Sequence, residues 1–228
     1  IYFEKEQISC DFVGHPLLDI KKDDRIDVNQ VVGKNKAIIS IFAGSRVSEI
    51  NTLMPILLNF IKLMKDNYSD IIYVFHSNRD QSELINSYIK NTQLSNCEVI
   101  SDSKIKSHLL KKSIFAVTKS GTVSLEVCNA NIPSIILYKM NFINFFIIKT
   151  LVKTKYANII NIVANKEVIP ELLQSKCNAK NIYQTVSDFL ESPSKIKKQI
   201  ADTKVILDKF RTEQSSTTLA TQSLSKFL

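Results

Sequence analysis

Short apolar segments rich in β-branched residues alternate along this chain with longer segments whose apolar residues recur every three or four positions. The first pattern predicts β-strands, and the second predicts amphipathic helices. The predicted strands are Ala37–Phe42, residues 71–75, Cys97–Ile100, residues 114–117 and Ser134–Tyr138. The predicted helices between them are residues 48–65, 79–91, 103–111 and 122–129. This alternation predicts an α/β fold, with a Rossmann-like parallel sheet that carries helices on both faces.

Beyond Pro170 the pattern becomes helical only, with predicted helices at residues 179–191, 193–211 and 216–228. The 228 residues are enough for one large domain with a helical extension. We therefore predict a linker segment at residues 1–20, a Rossmann-like domain at residues 21–178 and a C-terminal helical tail at residues 179–228.

Composition excludes several classes of protein. The four cysteines are scattered without a CxxC pair and there are three histidines, so neither a disulfide framework nor a zinc site is expected, and a reducing cytoplasm fits best. No apolar run approaches the ~20 residues that span a bilayer, so we expect a soluble or peripheral protein. The first residue is not methionine, which favours a fragment or a processed product. A net charge of +8 indicates anionic partners, or only a Lys-rich composition.

The first of two glycine turns, residues 43–46, follows the first predicted strand. Gly44 permits close approach of a ligand to the backbone, and the following helix N-terminus presents unpaired N–H groups to an anion. Arg46 adds a two-pronged donor for phosphate. In the alternative interpretation, Ser48 simply caps the helix and Arg46 is solvated.

The second glycine turn, residues 119–122, follows the fourth predicted strand. Ser120 and Thr122 can offer hydroxyl and N–H groups to a diphosphate, while Glu126 can accept from ribose hydroxyls. Alternatively, Thr122 is a helix N-cap with Glu126 in the first turn, which needs no ligand. Neither turn matches GxGxxG or GxxxxGK[ST], so NAD-binding and P-loop interpretations are disfavoured.

Four segments, taken in order, resemble one family. They are "DFVGHPLLD", "IFAGSRVSEI", "KSGTVSLEVCNANIPSIILYKMN" and "LVKTKYANIINIVANKEVIPELLQ". Together they closely resemble lipid-A-disaccharide synthase, a bacterial glycosyltransferase of the GT-B fold. The chain departs from the family pattern at Ala43 and Ile160, where proline is usual.

The resemblance implies that UDP-2,3-diacylglucosamine donates its sugar to 2,3-diacylglucosamine 1-phosphate, with release of UDP and without a cofactor. It also implies that this chain is the C-terminal, donor-binding half. The acceptor site and the catalytic base are then expected in a preceding half of about 150 residues, and a homodimer is possible. His15 stands beside Pro16 at the edge of the domain, so we expect a structural role for it and not that of a general base. The substrate-binding residues that the resemblance implies are Gly44, Ser45, Arg46, Glu49, Ser120, Gly121, Thr122, Glu126, Asn161 and Glu171.

A basic and aromatic stretch at residues 138–156 predicts contact with an anionic membrane, because lysines edge an apolar run. The alternative is an ordinary core helix. With the family, this stretch favours a cytoplasmic protein that lies peripherally on the inner face of the bacterial inner membrane. The predicted contact residues are Phe142, Phe145, Phe146, Lys149 and Lys153.

Three other functions compete with the transferase. The chain could be another GT-B enzyme acting on UDP-sugars, or a catalytically inactive UDP-binding remnant. RNA binding is disfavoured because no basic and aromatic strand platform is evident. The sequence contains neither an Asp-x-Asp motif nor a histidine cluster, so we predict no metal site.

Overall fold

A computed structural model describes residues 7–19, 36–140 and 154–226. Its centre is a six-stranded sheet in the order β3-β2-β1-β4-β5-β6, with parallel pairing throughout. The strands are β1 Ala37–Phe42, β2 Ile71–His76, β3 Cys97–Ile100, β4 Ser113–Lys119, β5 Ser134–Tyr138 and β6 Glu171–Leu173. The predicted α/β class and parallel sheet are confirmed.

Eight α-helices accompany the sheet in the described residues. They are α1 Val47–Lys65, α2 Arg79–Lys90, α3 Ser103–Lys112, α4 Val123–Asn129, α5 Ile159–Ala164, α6 Ala179–Leu190, α7 Pro193–Asp208 and α8 Ser216–Ser225. Sequence reasoning anticipated neither β6 nor α5. β6 has only three residues and α5 only six, too few for a periodic pattern to emerge.

Helices cover both faces of the sheet, as the strand composition predicts. On one face α1, α2 and α6 pack on alternate strand residues such as Ile39, Tyr73 and Phe115. On the other face α3 packs on Ile38 and Ile72, and α4, α5 and α7 pack around Ile136. Strands buried on both faces read as continuous apolar runs, which is why they stand out in the sequence.

The first two C-terminal helices are built into these cores. In α6, Ile182, Val186 and Phe189 join the α1 side, whereas Ile206 and Leu207 of α7 join the opposite side. The predicted tail therefore packs against the sheet for most of its length.

Helix α1 is long and apolar enough to cross a membrane by length and composition, and among the described residues it alone passes that test. Eight of its residues, from Ile50 to Met64, are buried in the protein core. Its hydrophobicity is explained by packing against β1, β2 and α6.

The N-terminal segment packs on the C-terminal helices. His15 donates its backbone N–H to the carbonyl of Phe210 at 3.2 Å, and its ring Nδ1 accepts from the N–H of Leu17 at 3.3 Å. Asp19 accepts from the N–H of Ser216 at 2.7 Å. These contacts agree with the structural role expected for His15.

Candidate functional site

A cleft of about 470 Å³ opens at the carboxyl ends of β1, β2 and β4. This is the edge of a parallel sheet where ligands bind in doubly wound folds. The cleft brings together the two glycine turns, although they are separated by more than 70 positions in sequence. Seven of the ten predicted substrate-binding residues line it: Gly44, Ser45, Arg46, Glu49, Ser120, Gly121 and Thr122.

Glu49 links the two turns through its carboxylate. It accepts from the backbone N–H groups of Ser45 and Arg46 at 3.0 and 3.3 Å. It also accepts from Nη1 of Arg46 at 3.1 Å and from Nζ of Lys119 at 2.7 Å. Burial raises the pKa of the Glu49 carboxyl, but these hydrogen bonds and the Lys119 charge outweigh burial and hold that pKa below its ordinary value. Glu49 is therefore ionised at neutral pH.

The first glycine turn requires its glycine. Gly44 has φ +114°, and a Cβ placed there would lie 2.7 Å from both Cβ and Oε2 of Glu49. The helix that follows begins at Val47 with Arg46 at the N-cap position, so Ser48 does not cap it. The Arg46 side chain is 78% exposed and can reach a ligand in the cleft.

The second glycine turn uses its glycine differently. Gly121 has φ +159°, a conformation that residues with a side chain rarely adopt, although a Cβ there would meet no atom within 4 Å. The glycine therefore leaves the backbone open to the cleft. Thr122 occupies the N-cap position of α4 with Glu126 in the first turn, as the capping alternative predicts, but the Thr122 side chain makes no capping hydrogen bond. Helix α4 has only seven residues, so the groups that this region offers to the cleft are those of the turn itself.

Two lysines that sequence reasoning missed line the cleft. Lys119 pairs with Glu49, and Lys106 pairs with Glu126 at 3.0 Å. Glu126 does not line the cleft, whereas its partner Lys106 does. Contact of Glu126 with ribose stays a prediction. Lys119 is the first residue of the second glycine turn, and this position is the one sequence signal for it.

Asn161 and Glu171 lie in a buried polar cluster outside the cleft lining. The Asn161 amide donates to Oε1 of Glu171 at 2.8 Å and to the carbonyl of Ile169 at 2.7 Å. Its Oδ1 accepts from the N–H groups of Val168 and Ile169 at 2.8 and 2.9 Å. These contacts support the loop before β6. Direct contact of Asn161 or Glu171 with a sugar-nucleotide substrate stays a prediction.

His76, at the end of β2, is a further cleft residue that sequence reasoning missed. Its ring stacks on Phe42 with centroids 4.5 Å apart, and its Nε2 lies 2.7 Å from Oγ of Ser40. Burial, and secondarily the positive charge of Lys106, lower the pKa of His76 to about 3. The imidazole is therefore neutral at physiological pH.

Two other predictions concern metal binding and membrane contact. Among the described residues, no group of three or more His, Cys, Asp or Glu side chains is placed to hold a metal ion. The predicted membrane-contact residues Phe142, Phe145, Phe146, Lys149 and Lys153 lie outside the described residues.

Solved structures place this architecture in the GT-B class. UDP-GlcNAc 2-epimerase from Neisseria meningitidis, bound to UDP-GlcNAc, has a TM-score of 0.53 at 16% identity, covering 77% of this chain and 44% of that chain. Spinosyn rhamnosyltransferase SpnG, complexed with thymidine diphosphate, has a TM-score of 0.57 at 13% identity, covering 89% and 49%. The fold is thus one half of the GT-B architecture, which glycosyltransferases and sugar-nucleotide epimerases share.

Sequence comparison identifies the family within that class. A family model described as "Lipid-A-disaccharide synthetase" matches residues 1–224. A lipid-A-disaccharide synthase from Rickettsia typhi is 31% identical over 220 residues, covering 92% of this chain and 56% of that protein. The chain belongs to the lipid-A-disaccharide synthetase family. It spans about half the length of the curated relatives that it matches.

Proposed function

We propose that this chain is the donor-binding half of a hexosyltransferase that makes the lipid A disaccharide. Its substrate is then UDP-2,3-diacylglucosamine, and the complete enzyme transfers that sugar to 2,3-diacylglucosamine 1-phosphate. The observation that carries the proposal is the convergence of both glycine turns, Arg46 and Lys119 on one cleft. Family membership supplies the choice of sugar.

The chemistry requires two things at the anomeric carbon. A base takes the proton of the acceptor hydroxyl while its oxygen forms the new bond, and the bond to the UDP oxygen breaks with its electron pair going to UDP. Charge therefore develops on the leaving diphosphate, where Arg46, Lys119 and the N–H groups of the turns would stabilise it. No residue of this chain is assigned as the base, which we expect in a preceding half.

Glu49 has a defined part in this proposal. It neutralises Arg46 and Lys119, both of which are within hydrogen-bond distance of its carboxylate. An incoming diphosphate offers the same two cations more negative charge than one carboxylate does. The cations can then turn to the phosphate while Glu49 keeps the N–H groups of Ser45 and Arg46.

Titration calorimetry tests donor binding directly. UDP should bind the 228-residue chain measurably, and UMP should bind more weakly because it lacks the second phosphate. Absence of UDP binding, or equal affinity for UDP and UMP, would refute the assignment of this cleft to a diphosphate.

Turnover is the second test. The chain alone should transfer no sugar, because half of a cleft cannot orient the acceptor or deprotonate its hydroxyl. The same chain joined to the preceding half of a relative should regain transfer. Turnover by the 228 residues alone would show that the base lies within them.

A further inference from the structure

One buried carboxylate supports the second glycine turn through two hydrogen-bonded routes. Glu171 is 8% exposed. Its Oε2 accepts from the N–H of Ala157 at 2.8 Å, and its Oε1 accepts from the N–H of Asn158 at 3.0 Å. Both carboxylate oxygens are thus engaged in holding residues 157 and 158, which precede α5.

The first route runs through the backbone of Ala157. Its N–H is held by Glu171, and its carbonyl accepts from the hydroxyl of Ser120 at 2.8 Å. Ser120 lies in the second glycine turn and lines the cleft. Glu171 therefore sets the position of a cleft residue that it does not touch.

The second route runs through two fully buried side chains. The Asn158 amide donates to Oγ of Ser124 at 2.8 Å, and the Ser124 hydroxyl donates to the carbonyl of Gly121 at 2.7 Å. Asn158 and Ser124 are 1% and 0% exposed. The one hydroxyl proton of Ser124 goes to Gly121, so its oxygen is left to accept from Asn158.

The Gly121 carbonyl controls the direction of an N–H group. In a trans peptide the N–H points opposite to the preceding C=O. Ser124 holds the Gly121 carbonyl toward α4, so the N–H of Thr122 points away from that helix. Backbone N–H groups of a turn stabilise an anion only when their direction is fixed beforehand.

We propose that Glu171, Asn158 and Ser124 are positioning residues that fix the second glycine turn for the diphosphate, acting through Ala157 and Gly121 rather than by touching the donor. The inference rests on the proposed nucleotide site for its ligand. The positioning itself is a property of the ligand-free chain and can be measured without UDP.

Two substitutions break the second route at different points. Ser124→Ala removes the hydroxyl that donates to the Gly121 carbonyl and leaves only the Ser124 N–H, which donates to the same carbonyl at 3.2 Å. Asn158→Asp keeps the Oδ1 that accepts from the N–H of Ile160 at 2.9 Å, but it offers Ser124 an acceptor in place of a donor. The Ser124 hydroxyl then turns to the new carboxylate and leaves the Gly121 carbonyl with the longer hydrogen bond from the Ser124 N–H. Both variants should bind UDP about threefold to tenfold more weakly, as for the loss of one hydrogen bond.

Gln199→Leu is the matched control. Gln199 is 4% exposed and bridges the backbone of Ser134 with hydrogen bonds of 2.7 and 2.9 Å, at the amino end of β5 and away from the cleft. This variant should lose stability while keeping UDP affinity at a temperature where every protein is folded.

Amide NMR separates the positioning from the ligand. The chain has only four glycines, so the Gly121 resonance is readily assigned. The Gly121 and Thr122 amide resonances should move in Ser124→Ala and Asn158→Asp and stay in place in Gln199→Leu. Unmoved resonances would overturn the positioning proposal even if UDP binds. Resonances that move while the UDP affinity stays unchanged would also overturn the positioning proposal. Failure of the unmodified chain to bind UDP would instead count against the proposed function.

Discussion

At the scale of single residues, Glu49 partly determines the charge of the cleft. Its carboxylate forms ion pairs with Arg46 and Lys119 across two turns, so both cations are screened by one carboxylate. The two cations differ in exposure, since the side chain of Lys119 is 20% exposed and that of Arg46 is 78% exposed. Arg46 is therefore the cation that can reorient toward a ligand with the least disturbance of its surroundings.

Arg46→Ala should weaken UDP binding at least tenfold, because a charged donor to phosphate contributes about 1.4 kcal/mol or more. Titration calorimetry at constant salt measures this effect. Arg211→Ala is a control that removes the same charge at an exposed position beyond α7. Equal affinity in Arg46→Ala and the unmodified chain would remove Arg46 from the site.

His76 should make stability fall with acidity over a defined range. Its pKa is about 3 in the folded chain and near 6.5 in the unfolded chain, so only the unfolded chain takes up this proton between those values. The stabilisation is complete above pH 6.5 and is lost as pH falls toward 3. Within that range, the unfolding free energy should fall about 1.4 kcal/mol per pH unit more steeply than in His76→Gln.

Denaturant unfolding at about pH 7.5, 6, 5 and 4.5 provides the comparison for His76, since these values span the range in which the proton is taken up. The slope against pH is the quantity of interest, because His76→Gln also changes absolute stability through Ser40 and Phe42. Parallel slopes for the two proteins would show that the folded chain also binds the proton.

At the scale of elements, the two glycine turns should respond differently to the same substitution. Gly44→Ala places a Cβ against Glu49 at φ +114°, so it should lower the unfolding free energy by about 1–3 kcal/mol. Gly121→Ala meets open space but keeps φ +159°, so backbone strain alone should lower the unfolding free energy by about 1 kcal/mol, without the clash that Gly44→Ala adds. The new methyl would nevertheless face the cleft and weaken UDP binding.

Melting curves and calorimetry on the two alanine variants distinguish a structural glycine from one that makes room for a ligand. A Gly121→Ala variant destabilised as much as Gly44→Ala would contradict the open space around Gly121. An unchanged UDP affinity in folded Gly121→Ala would indicate that the diphosphate does not approach this turn.

The sequence predicts those elements whose signal is local. Ala37–Phe42 and Ser134–Tyr138 are runs buried on both faces, so their composition alone indicates strands. β6 escapes prediction because it has three residues, and its pairing with β5 is tertiary. The glycine turns are visible in sequence for the same local reason.

The interior of the candidate site is less predictable. The ion pair of Glu49 with Lys119 joins residues on α1 and β4, and no local sequence pattern predicts it. The route from Glu171 to Gly121 likewise depends on a loop that meets α4 only in the folded chain. Resemblance to a family identifies Glu171, but only the contacts indicate how it acts.

At the scale of the whole molecule, the N-terminal segment and the C-terminal helix are joined. Asp11 accepts from the hydroxyl of Ser223 and from Nζ of Lys226 at 3.1 Å, while Asp19 holds the N–H of Ser216. These two described segments therefore meet on one side of the sheet domain. Exposed apolar residues lie there too, among them Phe12 and Leu224 at 61% and 66% exposure.

The net charge of +8 and the diacylated substrate that we propose together favour binding to an anionic membrane surface. We propose that the stretch at residues 138–156 makes that contact. Each lysine near an anionic surface contributes about 1 kcal/mol, and each buried phenylalanine adds roughly 1.5–3 kcal/mol. Such a contact is peripheral and weakens with salt.

Flotation with anionic liposomes should therefore depend on both kinds of side chain. Phe145→Ser/Phe146→Ser and Lys149→Glu/Lys153→Glu should each reduce flotation while leaving the melting temperature unchanged. Lys180→Glu/Lys204→Glu makes the same charge change at two exposed positions on α6 and α7 and should float like the unmodified chain. If the stretch is an ordinary core helix, the phenylalanine pair will unfold the domain and the lysine pair will leave flotation unchanged. Capture of the acyl chains would then fall to another part of the enzyme.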